Sequence, residues 1–136
     1  MKLRAKDVLR WVLTVFMVGA GANHFLSPAA YLGMMPAEIP VGWHVALVDI
    51  SGIAEIAGGL GLILPATRRL AAWGLVALYI AIVPANINMA WNHLPLGDSA
   101  VAPWLLWARL PLQLVLIAWA AWYARPARAR MGRATP

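Results

Sequence analysis

Cysteine is missing from the chain, which excludes thiol redox chemistry, disulfides and any iron–sulfur cluster held by its own ligands. Acidic residues are scarce too. Five Asp and Glu stand against eleven Lys and Arg, and charged residues make up only 12% of 136 positions. A soluble domain of this length cannot enclose a composition that is 62% hydrophobic, so the sequence specifies an integral membrane protein. It has room for one domain, 1–136, and no second. No lipidation or retention motif is present. Gly59-Leu60-Gly61 is followed by no Lys-Ser/Thr, so it is not a phosphate loop. The net charge of +6 does not indicate nucleic acid, because the cations flank the apolar runs, where topology accounts for them.

Those runs cover about 8–26, 43–64, 70–91 and 103–123, each near the ~20 residues one bilayer crossing needs. They predict an all-α bundle of four transmembrane helices. Lys2, Arg4, Lys6 and Arg10 precede the first run, Arg68 and Arg69 lie between the second and third, and Arg125, Arg128, Arg130 and Arg133 follow the fourth. Segments 27–42 and 92–102 hold no Lys or Arg. The alternation places both termini, including a basic tail over 124–136, in the cytoplasm. Tryptophan sorts the same way: Trp11, Trp73, Trp119 and Trp122 fall at the inner boundary, and Trp43, Trp91, Trp104 and Trp107 at the outer one. The first run ends in Ala20-Gly21-Ala22, the outline of a signal-cleavage site, but it reads as a retained helix because Asn23-His24 have a use in the bundle. In the first outer loop, Tyr31 to Met35 suit either a short interfacial helix over the bundle mouth or a plain connector.

The second run sets one carboxylate, Glu55, deep among apolar residues. On a helical wheel it shares a side with Ser51, Gly58, Gly59 and Leu62, while Ile53, Ile56, Leu60 and Ile63 face lipid. An acid on the packed face of a membrane helix is a site candidate. Asn23 and His24 close the first span, Tyr79, Asn86 and His93 recur every seven residues along the third, and Arg109 and Gln113 are one turn apart on the fourth. Arg109 cannot lose its proton and needs an anion, carbonyls or water. The expected arrangement is a Glu55–Arg109 ion pair completed by Gln113, Asn86 and Asn23, with Asp49 reaching the interface or capping the first loop. Such a cluster suits either of two roles, a ligand site or a lock that sets helix register. No metal is expected: His24 and His93 fall at the wet boundary with no second ligand at fixed spacing. Pro84 and Pro111 free carbonyls near Ile80 and Trp107, which could serve the polar set or be simple tolerated breaks.

GANHF (21–25), MMPAEIP (34–40), SGIAEIAGGLGLILPATRRLAAWGL (51–75), PANINMA (84–90) and WLLWARLPLQLVLIAWAAWY (104–123) together resemble the DoxX-like family of small four-helix membrane proteins. The resemblance implies a bacterial inner-membrane bundle, with links in some members to quinone-coupled redox work or quinone stress and in distant relatives to assembly of other membrane proteins. It maps the family's recurrent polar positions to His24, Glu55, Asn86, Arg109 and Gln113. The reading that results is a quinone- or lipid-binding accessory component of a membrane redox or stress-response system, without a self-contained catalytic set. Its ligand cavity would comprise Asn23, His24, Glu55, Tyr79, Asn86, Arg109 and Gln113. Its partners would be the lipid bilayer and membrane redox proteins, with an oligomer open. The alternative is a non-catalytic scaffold or assembly chaperone with a structural polar core.

Overall fold

A computed structural model describes residues 4–126. The arginines at 128, 130 and 133 and the lysine at 2, on which part of the topology reading rests, lie outside the described residues. Four long helices and one short one follow in the order α1 (Ala5–Leu26), α2 (Pro28–Leu32), α3 (Val41–Gly61), α4 (Arg68–Trp91) and α5 (Pro103–Ala124). All four long helices are long and apolar enough to cross a membrane, within three residues of the expected spans at every end. Exposed Val15, Ile53, Leu70, Ile80 and Leu114 give the bundle an apolar outer surface, as a multi-pass membrane protein requires. Seven tryptophans are exposed. Trp119 departs from the expected belt, with its indole nitrogen buried and unpartnered among the described residues.

Local chemistry sets the breaks. Pro28 and Pro103 open α2 and α5 at the first turn, where a missing N–H costs nothing. The end of α3 is closed from the next segment: Thr67 Oγ1 donates to Gly61 O at 3.0 Å, and Arg68 Nε and Nη2 donate to Leu62 O and Ile63 O at 2.9 and 3.1 Å. These bonds satisfy orphan carbonyls at the negative end of the helix dipole. In the α4–α5 link, His93 (φ 51°) and Gly97 (φ 63°) make the left-handed turns, and Leu96 pairs with Ser99. His93 is therefore beyond α4 and exposed, not the third member of a helical stripe. Pro84 and Pro111 sit inside helices that continue through them.

The helices form a ring in the order α1, α3, α4, α5, with one side open. α1 packs along α3, α3 along α4, and α4 along α5, but no Cα of α1 comes within 8 Å of any Cα of α5. Side chains bridge that seam near the termini, where Tyr123 Oη donates to Lys6 O at 2.9 Å and Lys6 Nζ lies 4.9 Å from the Trp122 ring centroid. An apolar cluster fills the bundle at this end (Leu13, Met17, Leu75, Val76 and neighbours), and a smaller one of Met34, Met89, Ala90 and Leu106 closes the α2 end. The space between them holds the polar residues.

Close backbone approach sets the α1–α3 crossing. A Cβ on Gly21 would lie 2.5 Å from Gly52 O, and one on Gly52 would lie 2.8 Å from His24 Cβ. Ile56, expected toward lipid, is half-buried because it covers Gly21. Ile53 and Leu60 do face outward. Gly21→Val should destabilise the bundle by about 1–3 kcal/mol, whereas Gly19→Ala, with open space at its Cβ, should be neutral or slightly stabilising. Thermal unfolding of the detergent-solubilised protein reads both.

Candidate functional site

A cavity of about 300 Å³ lies inside the ring, lined from all four long helices and from the α2 segment. Six of the seven expected site residues line it: His24, Glu55, Tyr79, Asn86, Arg109 and Gln113. Asn23 does not. It is exposed, donates through Nδ2 to Tyr31 Oη at 2.9 Å, and borders a neighbouring cavity of about 280 Å³.

The expected Glu55–Arg109 ion pair does not form. Glu55, only 4% exposed, accepts from Tyr79 Oη at 3.1 Å through Oε1, and its Oε2 faces His24 Nε2 at 3.4 Å. His24 is 5% exposed, deep in the packing and not at a wet boundary, because the Gly21–Gly52 crossing draws the end of α1 against α3. The other ring nitrogen fixes its role. Nδ1 lies 2.9 Å from Val48 O and 3.1 Å from Ser51 Oγ, while Ser51 Oγ donates to Val48 O at 2.9 Å. A carbonyl only accepts, so Nδ1 carries a hydrogen. Nε2 and Oε2 face each other without a hydrogen bond, and Oε2 has no hydrogen-bond partner among the described residues. Tyr79 Oη also lies 3.0 Å from Met17 Sδ, a weaker acceptor than the carboxyl.

Arg109, half-buried, donates through Nη1 to Met89 Sδ at 3.2 Å. No carboxylate among the described residues is within 4.0 Å of it. The turn between Arg109 and Gln113 explains this geometrically: Arg109 stands roughly 6 Å nearer the α2 end, beside Tyr31 and not beside Glu55. Asp49 forms no ion pair or side-chain hydrogen bond among the described residues and is half-buried.

Gln113 takes the central place foreseen for it, but in a different network. Its Nε2 donates to Tyr79 O at 2.5 Å, next to the Ile80 carbonyl that Pro84 releases, and its Oε1 accepts from Asn86 Nδ2 at 2.7 Å. The Oδ1 of Asn86 is buried with no partner. This network ties α4 to α5, while His24, Glu55 and Ser51 tie α1 to α3 and Tyr79 joins the two halves.

Tyr31 is the site residue that spacing could not place. The short helix α2 folds it over the bundle, where its ring stacks on His24 at 3.7 Å between centroids and 27° between planes. Burial pushes its phenol pKa above the ordinary 10, so it remains protonated. Its oxygen accepts from Asn23, which leaves its own proton available for donation. The only sequence signal was Tyr31's position in an unusually apolar loop. Among the described residues, no group of three or more His, Asp or Glu is arranged to hold a metal ion.

Two couplings follow from the geometry. Asn86→Leu and Gln113→Leu combined should cost less than the sum of the single changes, with a coupling of about 0.5–1.5 kcal/mol in unfolding experiments. Glu55→Gln should couple more strongly to Tyr79→Phe than to Arg109→Gln in the same measurement.

No curated protein and no solved structure matches the chain. Residues 13–124 match the family described as Domain of unknown function (DUF8561), and with most of its length so matched the chain belongs to that family.

Proposed function

We propose that the protein binds a quinone-like or lipid-like amphiphile in this cavity and acts as an accessory component of a membrane redox or stress-response system. The observation that carries the reading is the cavity's mixed lining. Polar groups from all four spanning helices line it together with apolar Phe16, Ile82, Leu112 and Leu116. Ligand sites combine a few placed polar groups with an apolar lining in this way. The resemblance to DoxX-like proteins supports the redox setting, a bacterial inner membrane and both termini in the cytoplasm. Lacking cysteine, the chain would depend on an external flavin, haem or quinone partner for any electron transfer.

One observation favours a second reading, a scaffold or assembly chaperone. Most of the polar layer is satisfied within the protein, as a structural lock would be. The two readings separate on what stays with the protein and what a variant loses. Mass spectrometry after extraction in a mild non-ionic detergent should find a co-purified quinone or lipid that Gln113→Leu and Asn86→Leu lose. A ligand-free protein whose variants keep both fold and phenotype, together with a co-purifying membrane protein, would favour the scaffold.

The topology is testable because the chain has no thiol background. A cysteine at Ser99 should react with a membrane-impermeant maleimide in intact cells. One at exposed Ala66 should react only after the membrane is opened.

A further inference from the structure

Charge accounting inside the cavity leaves a remainder. Its ionisable lining residues are His24, Tyr31, Glu55, Tyr79 and Arg109. The carboxyl of Glu55 lies against His24 and Tyr79, and no carboxylate among the described residues lies within 4.0 Å of Arg109, so the guanidinium has no direct counter-ion there. Among the described residues its one side-chain partner is the Met89 thioether at 3.2 Å, a weak acceptor for a guanidinium with five N–H donors. Beside it stands Tyr31, whose hydroxyl accepts from Asn23 and donates to no described residue. Both residues line the main cavity and the neighbouring one of about 280 Å³, so they form the wall between the two. Two free donors on one wall, one of them cationic, lack an acceptor with negative charge.

The shape restricts what carries that charge. About 300 Å³ is at the lower end for ligand sites, enough for a head group and the start of one chain. Apolar clusters pack toward both axial ends. Along one side α1 and α5 stay apart, and there Phe16 and Leu112 both line the cavity and are 48% and 55% exposed. A chain leaving by this route passes directly into hydrocarbon.

We infer that the cavity takes a single-chain amphiphile whose head is an oxyanion, a carboxylate or a phosphate monoester, held by Arg109 and Tyr31, with its tail passing between α1 and α5 into the bilayer. This rests on the ligand-site reading above and narrows it from neutral quinones to anionic heads. A guanidinium suits such a head because it offers paired N–H groups to two oxygens. Asn86 Oδ1, a buried acceptor with no partner among the described residues, gains nothing from an anion and is left to the protein's own donors or water.

The test uses the full chain in a non-ionic detergent, with calorimetric titration of dodecanoic acid, methyl dodecanoate, dodecyl phosphate and a neutral decyl-benzoquinone. The acid or the phosphate should bind about 10- to 100-fold more tightly than the ester, the gain expected from hydrogen bonds to a charged partner. The tighter of the two names the head. Arg109→Gln should abolish the preference, Arg109→Lys should keep part of it, and Tyr31→Phe should weaken the anion several-fold without affecting the ester. The comparison of acid with ester in the unsubstituted protein needs no variant, so poor folding of Arg109→Gln leaves the test intact. Equal binding of acid and ester, or binding of the quinone alone, would overturn the oxyanion head while leaving a ligand cavity in place. No binding of any of the four would remove both.

Discussion

A carboxyl group buried within hydrocarbon against a histidine and a tyrosine from the two adjacent helices is the constraint on which the arrangement depends. An isolated carboxylate costs several kcal/mol at this depth. An arginine could offset that cost, but this fold uses His24 and Tyr79. Three consequences follow. α1 must lie close enough to α3 for the imidazole to reach Glu55, which Gly21 and Gly52 permit by allowing backbone contact. The imidazole must be held by its far nitrogen, which Val48 O and Ser51 do. And Arg109 is left without a carboxylate within 4.0 Å among the described residues.

The glycines and the histidine are thus parts of one device. Packing in lipid has little hydrophobic driving force between helices, so close approach and interhelical hydrogen bonds carry association. The α1–α3 half uses both: the glycine crossing brings the backbones together, and Thr14 Oγ1 donates to Gly59 O at 3.0 Å a few turns below. The α4–α5 half relies on the Gln113 network and on the Met89–Leu106 contact region. Each half is well tied, and on one side α1 and α5 stay apart, which leaves room for a cavity between the halves.

The architecture was legible because its signals are collective. Four runs of bilayer length report on many residues at once, and all four spans were found within three residues of their ends. Six of the seven residues named for the site also converge on one cavity, since depth in a bundle can be counted along each helix at 1.5 Å per residue. Partner choice was not legible. Opposite charges on converging faces suggested Glu55 with Arg109, but the pairing depends on rotation and on how far α1 slides along α3. A periodicity of seven likewise joined His93 to Tyr79 and Asn86, although the helix stops at Trp91. The contact of Tyr31 was not legible for a similar reason: a short helix over the bundle mouth was one of two readings of its loop, but stacking on His24 requires a loop of three prolines to fold back over the bundle.

The cost of Arg109 argues against a purely structural polar layer. A lock needs only groups that satisfy one another, and Gln113, Asn86 Nδ2, Tyr79, Glu55 Oε1, His24 Nδ1 and Ser51 already do. Leucine or methionine at 109 would pack against Met89 with no charge to desolvate, at no loss to that network. A guanidinium facing a cavity, with a thioether as its acceptor, adds expense to the fold and no visible rigidity. Residues that break local rules of this kind without compensation inside the protein are characteristic of sites completed from outside it. The half of the polar layer around Glu55 is therefore read as structure, and the half around Arg109 and Tyr31 as recognition.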